Sequence, residues 1–499
     1  MKRFMTCLLL AFLYLNALEC KKQDAASKPT KQQIQYSGLK CRKKIAVLTD
    51  YGAKGDGKTL NTAAFEKAIA DLSTYGSIGG ALLIVPPGNW LTGSFSLTSN
   101  FTLYIHQDAT LLASQDEGDY PIIDALPSYG RGSDGTEKRF SSFITGTNLT
   151  DVVITGGNGT INGQGGTWWK KFKSRKLTIT RPYLIEIMYS TKVVITNLTL
   201  IDSPTWNVHP VYCKNVVIED LTISAPYDSP NTDGINPDSC SDIRIRNAYI
   251  MSGDDCVAVK SGWDEYGIKM GIPTEHLSIH GLTCFSPTSA VIALGSEMSG
   301  GIKDVRAQNI TAYDSESGVR IKTARGRGGY VKNVFVQGMD LHTINRYVFW
   351  MGGNYKTHPD DNYDPNALPS IKNINFMDVS ADGVNIVGNL SGIKGDPFTE
   401  LCFSNVTAEL AEQKREEYEV DEKKDWDNDK HTHKGKNKKD KKGKNGGAWN
   451  CEDINGVSSN VNPPACDLLP EEQDGCSFPS DTLHIDTVEL KTCSAKYKS

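Results

Sequence analysis

Three aspartates crowd the middle of the chain. Asp233 stands in SPNTDGINPDSC (residues 229–240), and Asp254 and Asp255 sit side by side in SGDDC shortly afterwards. Asn, Asp, Gly and Pro build turns, so NTDG and GDD can also arise by composition in a loop-rich protein. Gathered in one groove, the same carboxylates would repel one another, which raises at least one pKa and keeps that group protonated as a general acid. Its ionised neighbours would then hold and deprotonate a water. A gap of roughly 6.5 to 9.5 Å between acid and base leaves room for that water beneath a sugar ring and gives inversion. Further on, GVRIK supplies Arg320 and Lys322. Two cations there oppose the competing reading, a calcium site, and suit an anionic substrate whose carboxylate Arg can grip through two hydrogen bonds.

Residues this far apart in sequence meet only if the chain stacks, and one phrase recurs as stacking requires: TDVVITGG, TKVVITNL, KNVVIEDL, SDIRIRNA, EHLSIHGL, KDVRAQNI, KNVFVQGM, KNINFMDV and TELCFSNV. The first apolar column runs Val152, Val193, Val216, Ile243, Leu277, Val305, Val334, Ile374, Leu401, and a second follows two residues later, the alternation of a strand. Four residues after the first column stand Gly156, Asn197, Asp220, Asn247, Gly281, Asn309, Gly338, Asp378 and Asn405, all suited to tight turns. Short strands and turns in a repeating unit without helices predict an all-β fold, a right-handed parallel β-helix. A β-sandwich gives no reason for one turn residue to recur in a column, and a propeller needs longer four-stranded repeats.

Stacked coils lie about 4.8 Å apart, so similar offsets within consecutive repeats form one face. Asp233 follows Val216 by 17, Asp254 and Asp255 follow Ile243 by 11 and 12, Ser289 follows Leu277 by 12, and Arg320 and Lys322 follow Val305 by 15 and 17. The spacing predicts a wall graded from acid through polar to basic. Before the coils, LNTAAFEKAIADL places Phe65, Ala68, Ile69 and Leu72 on one helical face behind an Asn61 cap, a helix expected to close the N-terminal end of the solenoid.

The 499 residues carry a formal net charge of -5, which offers no global basic field for nucleic acid. MKRFMTCLLLAFLYLNALEC has the order of a secretory signal, with an apolar run too short to span a bilayer. The expected organisation is a signal peptide at 1–20, a flexible segment at 21–44, the β-helix at 45–410, a charged disordered linker at 411–448 and a cysteine-containing tail at 449–499. Beyond the signal no membrane association is expected. The linker's His431 and His433 are read as solvated rather than as a metal tract. Twelve cysteines less Cys7 and Cys20 leave ten, an even number suited to disulfides outside the cell; Cys451, Cys466, Cys476 and Cys493 allow three pairings among themselves. Sequons at Asn100, Asn148, Asn158, Asn197, Asn309, Asn389 and Asn405 agree with secretion.

NTDG at 231–234, GDD at 253–255 and RIK at 320–322, in that order and spacing, resemble the polygalacturonase family of glycoside hydrolases, secreted β-helices that hydrolyse galacturonan in pectin. DYGAKGDGKTLNTAAF and GSEMSGGI look like the plant branch that includes exo-acting members. The resemblance covers roughly residues 47–407. It implies Asp254 as general acid, Asp233 and Asp255 as the groups that position and activate water, and Arg320 and Lys322, with Asn231 beside them, as substrate-binding residues. It implies no cofactor and a disulfide between Cys256 and Cys284. The family carries GHG where this chain has PTSA, so Thr288 or Ser289 takes the place of a histidine that tunes the acid's protonation. Tyr347 is a loose candidate for the family's tyrosine, with a core aromatic as the other reading. Trp206 and His209 either line a sugar subsite or pack within the coil, and Ser296 and Glu297 either face the cleft or satisfy a turn. The expectation is thus a secreted, monomeric, inverting hydrolase of α-1,4-galacturonan. A calcium-dependent pectate lyase and an inactive pectin-binding β-helix are the alternatives.

Overall fold

The structure is a computed structural model that describes residues 34–38, 42–411 and 448–495. The leader, Cys7, Cys20, Cys41 and the charged stretch with His431 and His433 lie outside the described residues, as does the side chain of Cys493. The chain winds into the expected right-handed parallel β-helix. Val152, Val193, Val216, Ile243, Leu277, Val305, Val334, Ile374 and Leu401 pair in unbroken succession, rung on rung. Each is at most 1 % exposed, so the column is a wall of the core.

Eight of the nine turn positions, from Asn197 to Asn405, are left-handed, with φ between 51° and 72°. Gly156 is the exception. There the ladder slips between Thr155 and Gly159, Asn158 takes the left-handed conformation, and a Cβ on Gly156 would stand 2.1 Å from the Ile105 carbonyl oxygen. Glycine serves close approach at that position, not a turn. A second left-handed corner immediately precedes the first apolar column, at Asp151, Lys192, Asn215, Asp242, His276, Asp304, Asn333, Asn373 and Glu400. Lys, His and Glu are not turn residues, which hid this corner from composition.

The helix Thr62–Ser73 buries Phe65, Ala68, Ile69 and Leu72 in the core beside the first rungs, and Phe65 stacks on Phe95 at 4.4 Å. Asn61 does not cap it through its side chain, which is taken up by Lys54, Thr59 and Leu91 backbone groups. At the other end, Trp449–Glu452 pairs with Ile386–Ser391 and Ile454–Asn462 with Phe398–Leu410, so this segment adds another rung. Cys451 bonds Cys466, but Cys476 reaches back to Cys402 in the coils rather than to another cysteine of the tail. Leu483 and Ile485 lie on Val153, Val194 and Val217, sealing an outer face. Among the described residues no helix is long and apolar enough to cross a membrane.

A second parallel sheet carries the functional face. Its rungs include Ile144–Thr147, Ile185–Met188, Val208–Val211, Val257–Val259 and Ala290–Leu294, and the ends of the long strands Ile302–Lys322 and Tyr330–Gly352. Ile235 bridges Val208 to Val257, which continues the ladder past Asp233.

Candidate active site

Successive coils deliver the acids to one place. Gly234 N–H donates to the Asp255 carbonyl oxygen at 3.0 Å, so Asp233 and Asp255 lie on adjacent rungs, and Cys256, disulfide-bonded to Cys284, anchors the second. One oxygen from each of Asp233, Asp254 and Asp255 lies within 4.8 Å of the others. These nearest oxygens are closer than the roughly 6.5 to 9.5 Å separation of acid and base expected from the sequence, as side chains on adjacent rungs about 4.8 Å apart allow.

The three carboxylates differ in their partners. Asp255 is buried, and its Oδ2 accepts from Lys322 Nζ at 2.6 Å while its Oδ1 accepts from Ser289 Oγ at 2.5 Å and from Ala290 N–H at 3.0 Å. Burial acts to raise its pKa, but the Lys322 charge and the donated hydrogen bonds outweigh it and hold Asp255 below the usual carboxylate range. Asp254, half-buried, accepts from Asn231 Nδ2 at 3.3 Å; desolvation and the neighbouring Asp255 charge push its pKa up. Asp233 accepts from Asn236 Nδ2 at 2.8 Å, and burial followed by the Asp254 charge raises it well above an ordinary aspartate. One ionised carboxylate beside two that favour a proton is the arrangement that acid–base chemistry requires.

Lys322 is itself buried. Desolvation works against its charge, yet Asp255 raises its pKa, so it stays an ammonium. Arg320, on the same strand, lies 3.6 Å over the Trp350 ring and 5.9 Å from the Tyr355 ring, with its guanidinium 3.6 Å from Glu316. The third member of the expected substrate set, Asn231, sits between Asp254 and Arg181, whose guanidinium donates to it at 2.8 Å. Glu297 pairs with Lys260 at 2.9 Å, and Lys260 lies over Trp206 at 4.6 Å. Trp206 and His209 are both buried and pack against one another and Tyr183. Tyr347 is half-buried beside Trp350, outside the core.

The sequence profile of glycosyl hydrolases family 28 matches residues 84–424. A probable polygalacturonase of Vitis vinifera is 55% identical over 467 residues, 93% of this chain and 89% of the relative. The chain belongs to glycosyl hydrolase family 28. It is a polygalacturonase-type hydrolase. A polygalacturonase of Persea americana is 29% identical over 72% of this chain and 77% of its own. Among solved structures, a hyperthermoactive exopolygalacturonase from Thermotoga maritima is similar with a TM-score of 0.64 and 28% identity, over 75% of this chain and 89% of that one.

Within this family 28 chain the motifs account for the acids and the two cations, but not for what surrounds them. Of Thr288 and Ser289, the two positions expected in place of the family's histidine, Ser289 bonds Asp255 directly through its hydroxyl, whereas Thr288 donates to the Gly253 carbonyl oxygen at 3.0 Å. Tyr355, Trp350, Lys260 and Asn236 carried no motif. For Trp350 and Asn236 the signal is register: Arg320 pairs with Trp350, and Ala258 and Ala293 stand between Asn236 and Arg320 on the ladder.

Proposed function

We propose that the protein is secreted to the cell wall and hydrolyses α-1,4-galacturonosyl linkages of pectin with inversion, without a metal ion. Asp254 is the general acid: it is the most accessible of the three carboxylates and its pKa is raised. Asp255, ionised by Lys322, and Asp233, on the adjacent rung, hold and activate the water. Lys322 and Arg320 bind the substrate carboxylate, and Asn231 orients Asp254. The observation that carries this reading is the Lys322–Asp255 contact at 2.6 Å, which sets an ammonium where a divalent cation would otherwise bind the acids.

The approach of the carboxylates within 4.8 Å favours a second reading, in which one of them attacks the sugar and configuration is retained. Proton NMR of unesterified polygalacturonate during early digestion separates the two. The proposal expects saturated products that appear first as the β anomer. The α anomer first would establish retention. An unsaturated, ultraviolet-absorbing product lost on chelation would establish a lyase, and retention on pectin without any product an inactive binding protein.

A further inference from the structure

The outward column of the catalytic sheet changes character at the acids. On the N-terminal side it presents Glu186, His209 and Asn236, each fully buried; on the C-terminal side Arg320, Trp350 and Asn389 are partly exposed. The covering on the N-terminal side is built rather than incidental. Tyr183 and Trp206 stack at 4.8 Å and both set their rings edgewise to His209 at 5.0 Å, while Tyr129 donates to Asp238 at 2.6 Å and packs on Trp263.

Above that lid lies Arg181, fully buried. Its guanidinium donates to both Asp134 carboxylate oxygens at 2.9 Å, to the Pro204 and Pro230 carbonyls at 3.1 and 2.8 Å, and to Asn231 beside Asp254. Arg131, on the same loop as Asp134, donates to the Pro359 carbonyl of a loop that follows the Trp350 strand. The loop carrying Asp134 is thereby pinned at two points, against Asn231 and against the far loop.

We propose that the cleft is closed at its N-terminal end, so that the enzyme removes terminal sugars instead of cutting within the chain, with Arg181 and Arg131 as the residues that set this specificity. The buried column runs through Glu186 and His209 to Asn236, whose amide donates to Asp233, so the wall stands against the acids themselves. On this proposal the acids have room for the terminal sugar only, with the rest of the polymer running out on the side of Arg320 and Trp350. The inference rests on the galacturonan reading above and adds the mode of attack.

The test digests unesterified polygalacturonate with the full-length protein and follows product size, reducing ends and viscosity together. The expected result is the monomer as the early product, with viscosity falling slowly for each reducing end released. A mixture of oligomers with rapid loss of viscosity would overturn the inference while leaving the hydrolase reading intact. No new reducing end at all would count against both. Arg131→Ala, which loosens the partly exposed contact to Pro359 without stranding a buried charge, should shift early products from monomer towards dimer and trimer. Arg181→Ala should shift them further, with Arg181→Lys intermediate, in protein whose circular dichroism matches wild type. Unchanged monomer release from folded Arg131→Ala and Arg181→Ala would remove both residues from the assignment.

Discussion

Asp255 accepts three hydrogen bonds, from Lys322, Ser289 and the Ala290 amide, which leaves its carboxylate capacity for the water and separates its protonation from that of its neighbours. The rate should follow a bell: its acid limb reports Asp255, held below the usual carboxylate range, and its alkaline limb reports the general acid Asp254, whose pKa is raised. Ser289→Ala deletes a donor that favours the ionised form, so the Asp255 pKa rises and the acid limb of kcat/KM moves to higher pH, by about one unit for a hydrogen bond to a charged group. A pH profile superimposable on wild type would show that Ser289 does not tune Asp255. Asp233, Asp254, Asp255, Arg320 and Lys322 were legible as motifs because each sits in a short run whose residue types are chemically unusual together. Tyr355 and Lys260 were not, since each is a common residue whose position matters only once coils are stacked and loops folded over them.

At the scale of elements, one ribbon of buried charge crosses three rungs next to the acids. Arg139 donates to both oxygens of Glu186 at 2.6 and 2.7 Å, His209 spans Glu186 and Asp238 at 3.0 and 3.3 Å, and Tyr129 closes the row. Burial alone would raise the Glu186 pKa, but Arg139 and His209 bring it down to about 2. Its stabilising contribution is therefore complete above its ordinary 4.5 and disappears as pH falls towards 2. His209 has the opposite sign. Burial works to lower its pKa, the two carboxylates raise it, and its contribution is complete below 6.5 and lost as pH rises through the raised value. Arg139→Met strands Glu186 in the interior and should cost roughly 3–5 kcal/mol in urea unfolding at neutral pH. A loss within the range of an ordinary surface change would mean that the ribbon contributes little to stability. His209 illustrates why the sequence left its role open: a histidine in SPTWNVHPVYC suits a sugar subsite or a packed coil equally, and only the burial of Trp206 and Tyr183 around it decides for packing.

Across the whole molecule the coils were readable from alternating apolar columns because a solenoid repeats its geometry with every turn, and nine rungs pair as the columns align. The last rung was not readable. Trp449–Glu452 belongs beside Ile386–Ser391, but the charged stretch at 411–448 interrupts the period and hides the return of the pattern. The tight grouping of the acids also escaped the sequence, since a coil offset fixes the rung and not the direction in which each carboxylate points. What this architecture does for function is to bring three carboxylates and an ammonium from three coils into one cleft, and the claim that they form the catalytic apparatus can be tested directly. Reducing-end release from unesterified polygalacturonate should be compared for wild type and Asp254→Asn in the presence of a chelator. The account predicts undiminished wild-type turnover and a variant slowed by about 10²–10⁴-fold that still binds the polymer. An Asp254→Asn protein as fast as wild type, or a wild-type activity that vanishes with the chelator, would contradict it.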